Sequence, residues 1–263
     1  MKKLIFLMLV VSAALALFVG CSKDETVLQV GASPEPHAEM LNLVIDDLAK
    51  QGITLKVIEF TDYVVPNDAL EGGQLDANFF QHLPYMDSFN AEKGYHLVNA
   101  GGIHIEPMAL YSKSLTSLDQ LQNAEIAIPN DPTNEGRALL LLESAGLIKL
   151  KEGAGITATP LDIAENPKKL SFKELEAASL PRALEDVDAA VINGNYAIPA
   201  GLVASVDGLF VEGADSPYVN IVAVKDGNQS DERIIALVKA LQSEEISSFI
   251  AERSPNGEVV QVF

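Results

Sequence analysis

Apolar and polar positions alternate along the first half of this chain in blocks that predict strands and helices in turn. Three apolar runs are typical of buried strands: VLQVGA (27–32), TLKVIEF (54–60) and LDANFF (75–80). Helical spacing of apolar residues predicts a helix over 37–52, ended by Gly52, and shorter helices over 67–70 and 84–92. The stretch from 96 to 114 is predicted to be extended chain.

The same alternation continues in the second half. Further strands and helices are predicted at AEIAIPN (124–130), VDAAVIN (187–193) and YVNIVAVK (218–225), and over 134–147, 196–203 and 231–251. The last helix has Ser230 as its expected N-terminal cap and acidic residues in its first turn. Strands that alternate with helices imply an α/β fold with mostly parallel sheets.

The order of these elements favours two lobes over one large sheet. The strand–helix pattern restarts near Leu110, and the strand over 218–225 returns late, so the chain must cross twice between lobes. We therefore predict lobe I over 27–108 and 221–263 and lobe II over 109–220, joined by a hinge. A ligand would bind in the cleft between them, at the carboxyl ends of the strands.

The amino terminus predicts export. A basic Met-Lys-Lys start precedes the apolar run 4–18, which suits a signal peptide and is short for a membrane-spanning helix of roughly 20 residues. Cys21 is the only cysteine, so it forms no internal disulfide. We predict a lipoprotein signal peptide over 1–20, lipid attachment at Cys21 and a tether over 21–26. An uncleaved anchor with an incidental cysteine is the alternative.

The charge of the chain limits its partners. The net charge is -19 at pH 7, from 37 acidic and 18 basic side chains. Nucleic acid requires a basic face on the protein, and anionic lipid attracts basic residues, so we expect neither as a partner of this acidic surface. Contact with a membrane is expected only through a lipid anchor. The acidity names no partner by itself, because a solvated surface accounts for it.

One helix start predicts an anion site. Pro132 after Asp131 fits a helix that begins at proline with Asp131 as its cap, and the four leucines that follow require a buried helix body. Arg137 lies just inside this end, toward which helical side chains lean. Backbone N–H groups, the helix dipole and a guanidinium would converge there on a carboxylate or phosphate. A surface ion pair of Arg137 with Glu135 or Asp131 is the alternative.

Catalytic chemistry has no recognisable motif in this sequence. The chain has no H-E-x-x-H, G-x-S-x-G or Walker-type loop, so we predict a protein that is not an enzyme and uses no cofactor. Four histidines leave a metal site as an alternative, without ligand-pair spacing: His37, His82, His96 and His104. On these grounds alone, His82 in ANFFQHLPYM is a metal ligand, a catalytic base, a core histidine or a pocket wall.

Five motifs, in order, resemble those of the NlpA/MetQ-type lipoproteins: FTDYVVPNDAL, LDANFFQHLPY, IPNDPTNEGRALLLL, AAVINGNYA and DSPYVNIVAVK. These lipoproteins are the methionine-binding components of bacterial ABC importers. The resemblance covers nearly all of the chain after the signal peptide. It implies a type II periplasmic-binding-protein fold that captures methionine, expected as L-methionine, between two lobes. It also implies delivery to a membrane permease driven by a cytoplasmic ATPase, from a lipid anchor in the cell envelope.

The resemblance further implies which residues contact the ligand. Arg137 would bind the carboxylate, in agreement with the helix-start argument. Asn193 and Asn220 would hydrogen-bond the carboxylate and ammonium groups, because an amide both donates and accepts. A thioether packs well on aromatic edges, so the side chain would be enclosed by Tyr63, Phe80, His82 and Tyr85. Glu135 stands where an uncharged residue is expected; it would tune Arg137, help neutralise the ammonium or face solvent.

Three other classes of protein remain as alternatives. An enzyme would be identified by turnover of a bound compound. The remaining two are classes of lipoprotein. One is a metal-binding lipoprotein of similar shape, which metal analysis of the purified protein would identify. The other is a surface lipoprotein or adhesin that keeps the fold and for which transport is secondary. An adjacent permease and ATPase gene would favour import over that second alternative.

Overall fold

The computed structural model describes residues 26–213 and 216–263. The strands are β1 (Val27–Ala32), β2 (Thr54–Glu59), β3 (Ala77–His82), β4 (Leu97–Ile105), β5 (Ala109–Tyr111), β6 (Glu125–Pro129), β7 (Lys149–Leu150), β8 (Ile163–Glu165), β9 (Ser171–Leu175), β10 (Ala189–Ile192), β11 (Gly208–Val211), β12 (Val219–Lys225) and β13 (Val260–Gln261). The signal peptide and Cys21, predicted from sequence, lie outside the described residues.

Ten α-helices lie within the described residues: α1 (Glu39–Leu43), α2 (Ile45–Ala49), α3 (Val65–Glu71), α4 (Leu83–Lys93), α5 (Pro132–Ser144), α6 (Leu180–Ala183), α7 (Gly194–Ala197), α8 (Ala204–Asp207), α9 (Glu232–Leu241) and α10 (Glu244–Arg253). Single turns of other helical types lie at Pro34–Ala38, Leu118–Gln120, Gly155–Thr157, Pro160–Asp162, Ala177–Ser179 and Asn228–Ser230.

The described strands form two main sheets and a hairpin. The first sheet has the order β13-β4-β12-β3-β1-β2, the second has the order β11-β5-β10-β6-β9, and β7 pairs with β8. The chain therefore leaves the first sheet after β4 and returns to it at β12. The α/β fold class with two lobes, predicted from sequence, is confirmed. The lobe boundaries at 108 and 220 stay a prediction, and β12 begins at Val219.

Strand direction differs from the expectation of mostly parallel sheets. β1 runs parallel to β2 and β3, and β6 runs parallel to β9 and β10. By contrast, β12 is antiparallel to β3 and β4, and β5 is antiparallel to β10 and β11. A strand that enters directly from a crossing between sheets starts at the cleft and runs away from it. β5 and β12 are those strands, so both sheets are mixed.

Each sheet has its own hydrophobic core. In the first, Leu28 and Val30 of β1 pack with Leu237 of α9, all fully buried. In the second, Ile126 of β6 packs with Leu139 of α5. Burying one such side chain contributes about 1.5–3 kcal/mol. The cores hold each lobe together and leave the facing strand ends free for polar residues.

Two predicted helices are each divided in the structure. The helix expected over 231–251 breaks between α9 and α10, because the Ser243 hydroxyl accepts the N–H of Ile246 at 3.4 Å and starts a new helix. Its first cap is Asp231, which accepts the N–H of Arg233 at 2.8 Å, so the expectation of Ser230 was wrong. The helix expected over 37–52 is divided into α1 and α2 at Val44.

A close approach fixes the start of α5. A Cβ added at Gly136 would lie 2.1 Å from the carbonyl oxygen of Ile156 and 2.5 Å from its carbonyl carbon. Only glycine fits there, since real Cβ atoms essentially never come within 3.0 Å of another heavy atom. The contact with Gly155–Thr157 therefore sets the position of α5, and with it that of Arg137.

Candidate functional site

A cavity lies between the two sheets, where β3, β6 and β10 end and β12 begins. The space between its lining atoms is about 330 Å³, part of which is open to solvent. Its lining residues are Tyr63, Phe80, Gln81, His82, Tyr85, Glu106, Asn134, Arg137, Asn193, Gly194, Asn195 and Asn220. All seven side chains predicted from sequence to contact a ligand are among them.

The junction between β3 and α4 positions His82. Its Nδ1 accepts the backbone N–H of Tyr85 at 3.1 Å and so caps the helix. The proton of the neutral ring is then on Nε2, which donates to Asn134 Oδ1 at 3.2 Å. The pKa of His82 is lowered to about 3, mainly by burial and to a smaller extent by the charge of Arg137. His82 is therefore neutral near pH 7, with both ring nitrogens hydrogen-bonded.

Aromatic rings beside His82 form one wall of the cavity. The Tyr63 ring centroid lies 6.0 Å from that of Phe80 and 5.8 Å from that of Tyr85. The Tyr85 hydroxyl donates to the carbonyl of Tyr63 at 2.8 Å and joins the loop before α3 to α4. These contacts fix the ring orientations, so the wall presents aromatic faces and edges.

The junction between β6 and α5 builds the opposite, polar wall. Asp131 caps α5 by accepting the N–H of Asn134 at 3.0 Å, as predicted from sequence, and also accepts its side-chain amide at 2.9 Å. The Asn134 side-chain oxygen therefore faces the other way. It accepts from His82 and, at 2.7 Å, from Asn193 Nδ2. Asn134 thus connects the two junctions.

Arg137 is buried in this wall, with 4 % of its surface exposed. Its Nε donates to Glu212 Oε1 at 2.9 Å, and its Nη2 donates to Glu212 Oε2 and to the backbone oxygen of Glu106 at 2.9 Å. Its Cζ lies 4.3 Å from the ring centroid of Tyr218. The alternative of an ion pair with Glu135 or Asp131 was wrong: the partner is Glu212, which is distant in sequence.

Glu135 lies outside the cavity lining. Its side chain is buried. The pKa of its carboxyl is raised to about 7, mainly by this burial and to a smaller extent by the negative charges of Glu174 and Asp131. Of the three roles considered from sequence, facing solvent is excluded by this burial. Contact with a ligand in the cavity is not supported, because Glu135 does not line it.

Two buried amide atoms in the cavity wall have no hydrogen-bond partner among the described residues: Asn193 Oδ1 and Asn195 Nδ2. Each orientation is set by the other end of its amide. Asn193 donates to Asn134, and Asn195 Oδ1 accepts the hydroxyl of Tyr63 at 2.5 Å. Buried polar groups are nearly always hydrogen-bonded, so an unpaired acceptor and an unpaired donor here indicate a polar ligand.

Asn220 is oriented by a second set of buried groups. The hydroxyl of Ser33 is 2.7 Å from His37 Nδ1, and His37 Nε2 is 3.2 Å from Asn220 Oδ1. Because Nε2 also lies 3.4 Å from Glu106 Oε1, it faces two acceptors and carries the proton. The oxygen of Asn220 is thus engaged, which leaves its NH₂ group as the donor at the cavity.

Ligand atoms of His37, His104 and Glu106 lie within 4.8 Å of one another, close enough for comparison with a metal ligand set. His104 Nε2 is instead hydrogen-bonded to Glu106 at 2.7 Å. A metal-bound histidine normally donates its other ring N–H to an acceptor, whereas the buried His104 Nδ1 has no partner among the described residues. The three groups fit a hydrogen-bonded network better than a metal site. Burial raises the pKa of Glu106, opposed by His37 and Arg137.

Five lining residues were not identified from sequence: Gln81, Glu106, Asn134, Gly194 and Asn195. Four of them lie within the same motifs as predicted residues, and the fifth, Glu106, is the only acidic residue of the extended run 96–114. A carboxylate within the mostly apolar stretch 103–111 is the signal that would have identified it.

Two sheets joined by two crossings, with a polar and aromatic cavity at the facing strand ends, define a two-lobed substrate-binding protein. Residues 28–263 match the NlpA lipoprotein family. The chain belongs to this family. It is 46% identical over 244 residues to the membrane lipoprotein TpN32 of Treponema pallidum, covering 92% of this chain and 91% of that protein.

Two further relatives carry names that describe a ligand. The D-methionine-binding lipoprotein MetQ of Escherichia coli K12 is 46% identical over 237 residues, with 87% of each chain covered. A nutrient-binding protein from Burkholderia cenocepacia, solved bound to methionine, is 50% identical with a TM-score of 0.86 and covers 90% of this chain and 100% of its own. These relatives are substrate-binding proteins. Within the described residues, no helix has the length and apolar character to cross a membrane.

Proposed function

We propose that this chain is a lipid-anchored substrate-binding protein that captures methionine between its lobes and delivers it to an ABC importer. The observation that carries the proposal is the division of the cavity into two walls. One wall is aromatic, and the other holds a cation, Arg137, beside the unpaired acceptor of Asn193. An α-amino acid with an apolar side chain matches both walls.

The polarity of the wall assigns a partner to each end of the ligand. Donors on Arg137, Asn195 and Asn220 that have no partner among the described residues would bind the carboxylate. The oxygen of Asn193 and the carboxylate of Glu106 would accept from the ammonium group. The orientation of each amide is imposed by a neighbouring hydrogen bond, so little reorganisation accompanies binding.

The side chain of methionine would lie on the aromatic wall, which is formed by Tyr63, Phe80, His82 and Tyr85. A sulfur–aromatic contact contributes about 0.3–1.5 kcal/mol, and burial of the side chain about 1.5–3 kcal/mol. Each charge-assisted hydrogen bond adds about 1.5–3 kcal/mol. After the loss of freedom on binding, these terms leave roughly 8–12 kcal/mol, a micromolar to nanomolar affinity.

Both walls contact the ligand together only when the lobes are close. Methionine would therefore shift the equilibrium toward a closed form, by its difference in affinity for the two forms. The permease, with its ATPase on the cytoplasmic side, would recognise that closed form. Cys21 would carry the lipid that keeps the protein on the periplasmic or extracytoplasmic face of a bacterial membrane. The protein would have no catalytic step and no cofactor.

The test is to express residues 22–263, purify and denature the protein, and identify any released small molecule by chiral mass spectrometry. Stoichiometric methionine is the expected result. We predict the L enantiomer, although curated relatives carry D-methionine in their names, so titration with both enantiomers accompanies the experiment. An empty protein that binds neither enantiomer would contradict the proposal, and metal content measured on the same sample tests the metal-binding alternative.

The anchor has its own test. Cys21→Ala in the full chain should move the protein from the membrane fraction to the soluble fraction. Persistence in the membrane fraction after a salt wash would contradict lipid attachment at Cys21. A Ser22→Ala variant, changed at the neighbouring residue, is the matched control and should stay in the membrane fraction.

A further inference from the structure

The guanidinium of Arg137 has most of its donors occupied before any ligand binds. Of its five N–H groups, the one on Nε and the two on Nη2 are directed to Glu212 and to the backbone oxygen of Glu106. The two N–H groups of Nη1 have no partner among the described residues. A ligand carboxylate would therefore approach a cation that already holds one carboxylate on its other edge.

Glu212 lies where the two crossings between the sheets meet. It follows β11 on the returning crossing, and its N–H donates to the carbonyl of Met108 on the outgoing crossing at 2.8 Å. Its carboxylate in turn accepts the N–H of Met108 at 3.2 Å. The side chain thus joins Arg137 of the second lobe to both chain segments that connect the lobes.

Burial makes the charge of Glu212 important for Arg137. The side chains are only 4% and 15% exposed, for Arg137 and Glu212 respectively. Removing one partner of a buried ion pair leaves an uncompensated charge and strongly destabilises the protein. In the absence of Glu212, a ligand carboxylate would supply the missing counter-charge; in its presence, the ligand meets a cation that is already neutralised.

We propose that Glu212 is a built-in counter-ion of Arg137, which stabilises the ligand-free protein and thereby lowers its affinity for the carboxylate of the ligand. The proposal rests on methionine capture as the function. Glu212 is then a positioning residue that contacts no ligand and sets the affinity through Arg137. A carrier that delivers its ligand to a permease must also release it. Since most differences in affinity are differences in release rate, a limit on affinity keeps release fast.

The test is Glu212→Gln, titrated with L-methionine and with L-methioninol, which lacks the carboxylate. We expect about tenfold tighter binding of methionine, equivalent to about 1.4 kcal/mol, and unchanged binding of methioninol. The ligand-free variant should unfold at a lower temperature than the unaltered protein, and saturating methionine should narrow this difference. Glu71→Gln, which changes a partly buried ion pair with Lys225 (3.6 Å) away from the cavity, is the matched control and should leave both affinities unchanged.

Equal changes for the two compounds, no change, or weaker binding of methionine would each overturn the proposal. Glu212→Asp keeps the charge, so it should retain the affinity of the unaltered protein for methionine and provides a second variant if Glu212→Gln does not fold. Tighter methionine binding by Glu212→Asp would also overturn the role of charge. If the unaltered protein binds no methionine, the proposed function fails in a measurement made without any mutation.

Discussion

Two strand-to-helix junctions, one from each sheet, meet across the cavity, and their backbones are built alike. His82 ends β3 and caps α4, while Asp131 follows β6 and caps α5. Each helix has a proline in its first turn, Pro84 and Pro132. The difference lies in what remains unpaired. Both ring nitrogens of His82 are hydrogen-bonded, whereas Nη1 of Arg137, six residues after Asp131, has no partner among the described residues.

This difference shows how one local design serves two kinds of recognition. A capping residue followed by proline fixes the entry of the chain into the helix in both cases. The residues around the cap then decide the chemistry: aromatic rings surround the first junction, and amides and a cation surround the second. The aromatic wall of one lobe therefore recognises the shape of a ligand, and the polar wall of the other recognises its charge. A ligand that contacts both walls holds the two lobes together.

The largest expected effect comes from removing the cation of the second junction. Arg137→Ala should weaken methionine binding by about 2–5 kcal/mol, because the ligand carboxylate loses its charged partner in a buried site. Isothermal titration calorimetry measures the change, with circular dichroism to confirm folding. Arg182→Ala, an exposed arginine in the same lobe, is the control and should bind normally. An unchanged affinity of the Arg137→Ala variant for methionine would show that Arg137 does not bind the ligand.

A smaller effect is expected from the unpaired acceptor. Asn193→Ala should weaken methionine binding by about 1–3 kcal/mol, since the ammonium group loses a hydrogen bond to an oriented oxygen. An analogue without the amine, 4-methylthiobutanoate, should bind the variant and the unaltered protein equally. Equal losses for the two ligands would mean that Asn193 acts only by supporting Asn134.

The buried carboxyl of Glu135, two residues before Arg137 in the sequence, should give a pH-dependent effect on stability. Because the pKa of Glu135 is raised from 4.5 to about 7, its folded state favours the protonated form, and stability falls as the pH rises through this interval. Glu135→Gln should therefore stabilise the protein by about 1–2 kcal/mol at pH 8 and have little effect at pH 4.5. Urea denaturation at both pH values measures this. An equal effect at both values would contradict the assignment.

The smallest effect is expected at the first junction, where no charge is at stake. His82→Leu removes the cap of α4 and should lower the free energy of unfolding by about 1 kcal/mol. His82→Asn supplies another side-chain acceptor and should recover most of this loss. Chemical denaturation of both variants measures the difference. If both variants unfold alike, the hydrogen bond to Tyr85 does not contribute to stability.

The sequence predicted the parts of the site that follow from local order. Asp131 was identified as a cap because proline follows it, and Arg137 was located by its distance from that helix start. This helix start follows the end of β6, and strand ends converge at the cleft in an α/β fold. The seven side chains predicted to contact a ligand all line one cavity, and their binding role stays a prediction.

What escaped prediction depends on contacts between distant segments. Glu212 is 75 residues from Arg137, and no local pattern connects them. The strands β9 and β11 were missed because they lie in the second sheet with mostly exposed or half-buried residues, so their apolar signal is weak. The break before α10 did have a local signal, Ser243 followed by two glutamates, which continuous apolar spacing concealed.

The contact at Gly136 has a consequence for protein engineering. Ile156, which lies outside the cavity lining, sits directly against this glycine, so a single added methyl group would push the helix end and its neighbour Arg137 away from the turn at Gly155–Thr157. Variant libraries meant to change ligand preference should therefore hold Gly136 constant. Conversely, substitutions in the surface turn at 155–157 would change ligand affinity from outside the cavity. They would shift the position of Arg137 and leave every side chain that lines the cavity unsubstituted.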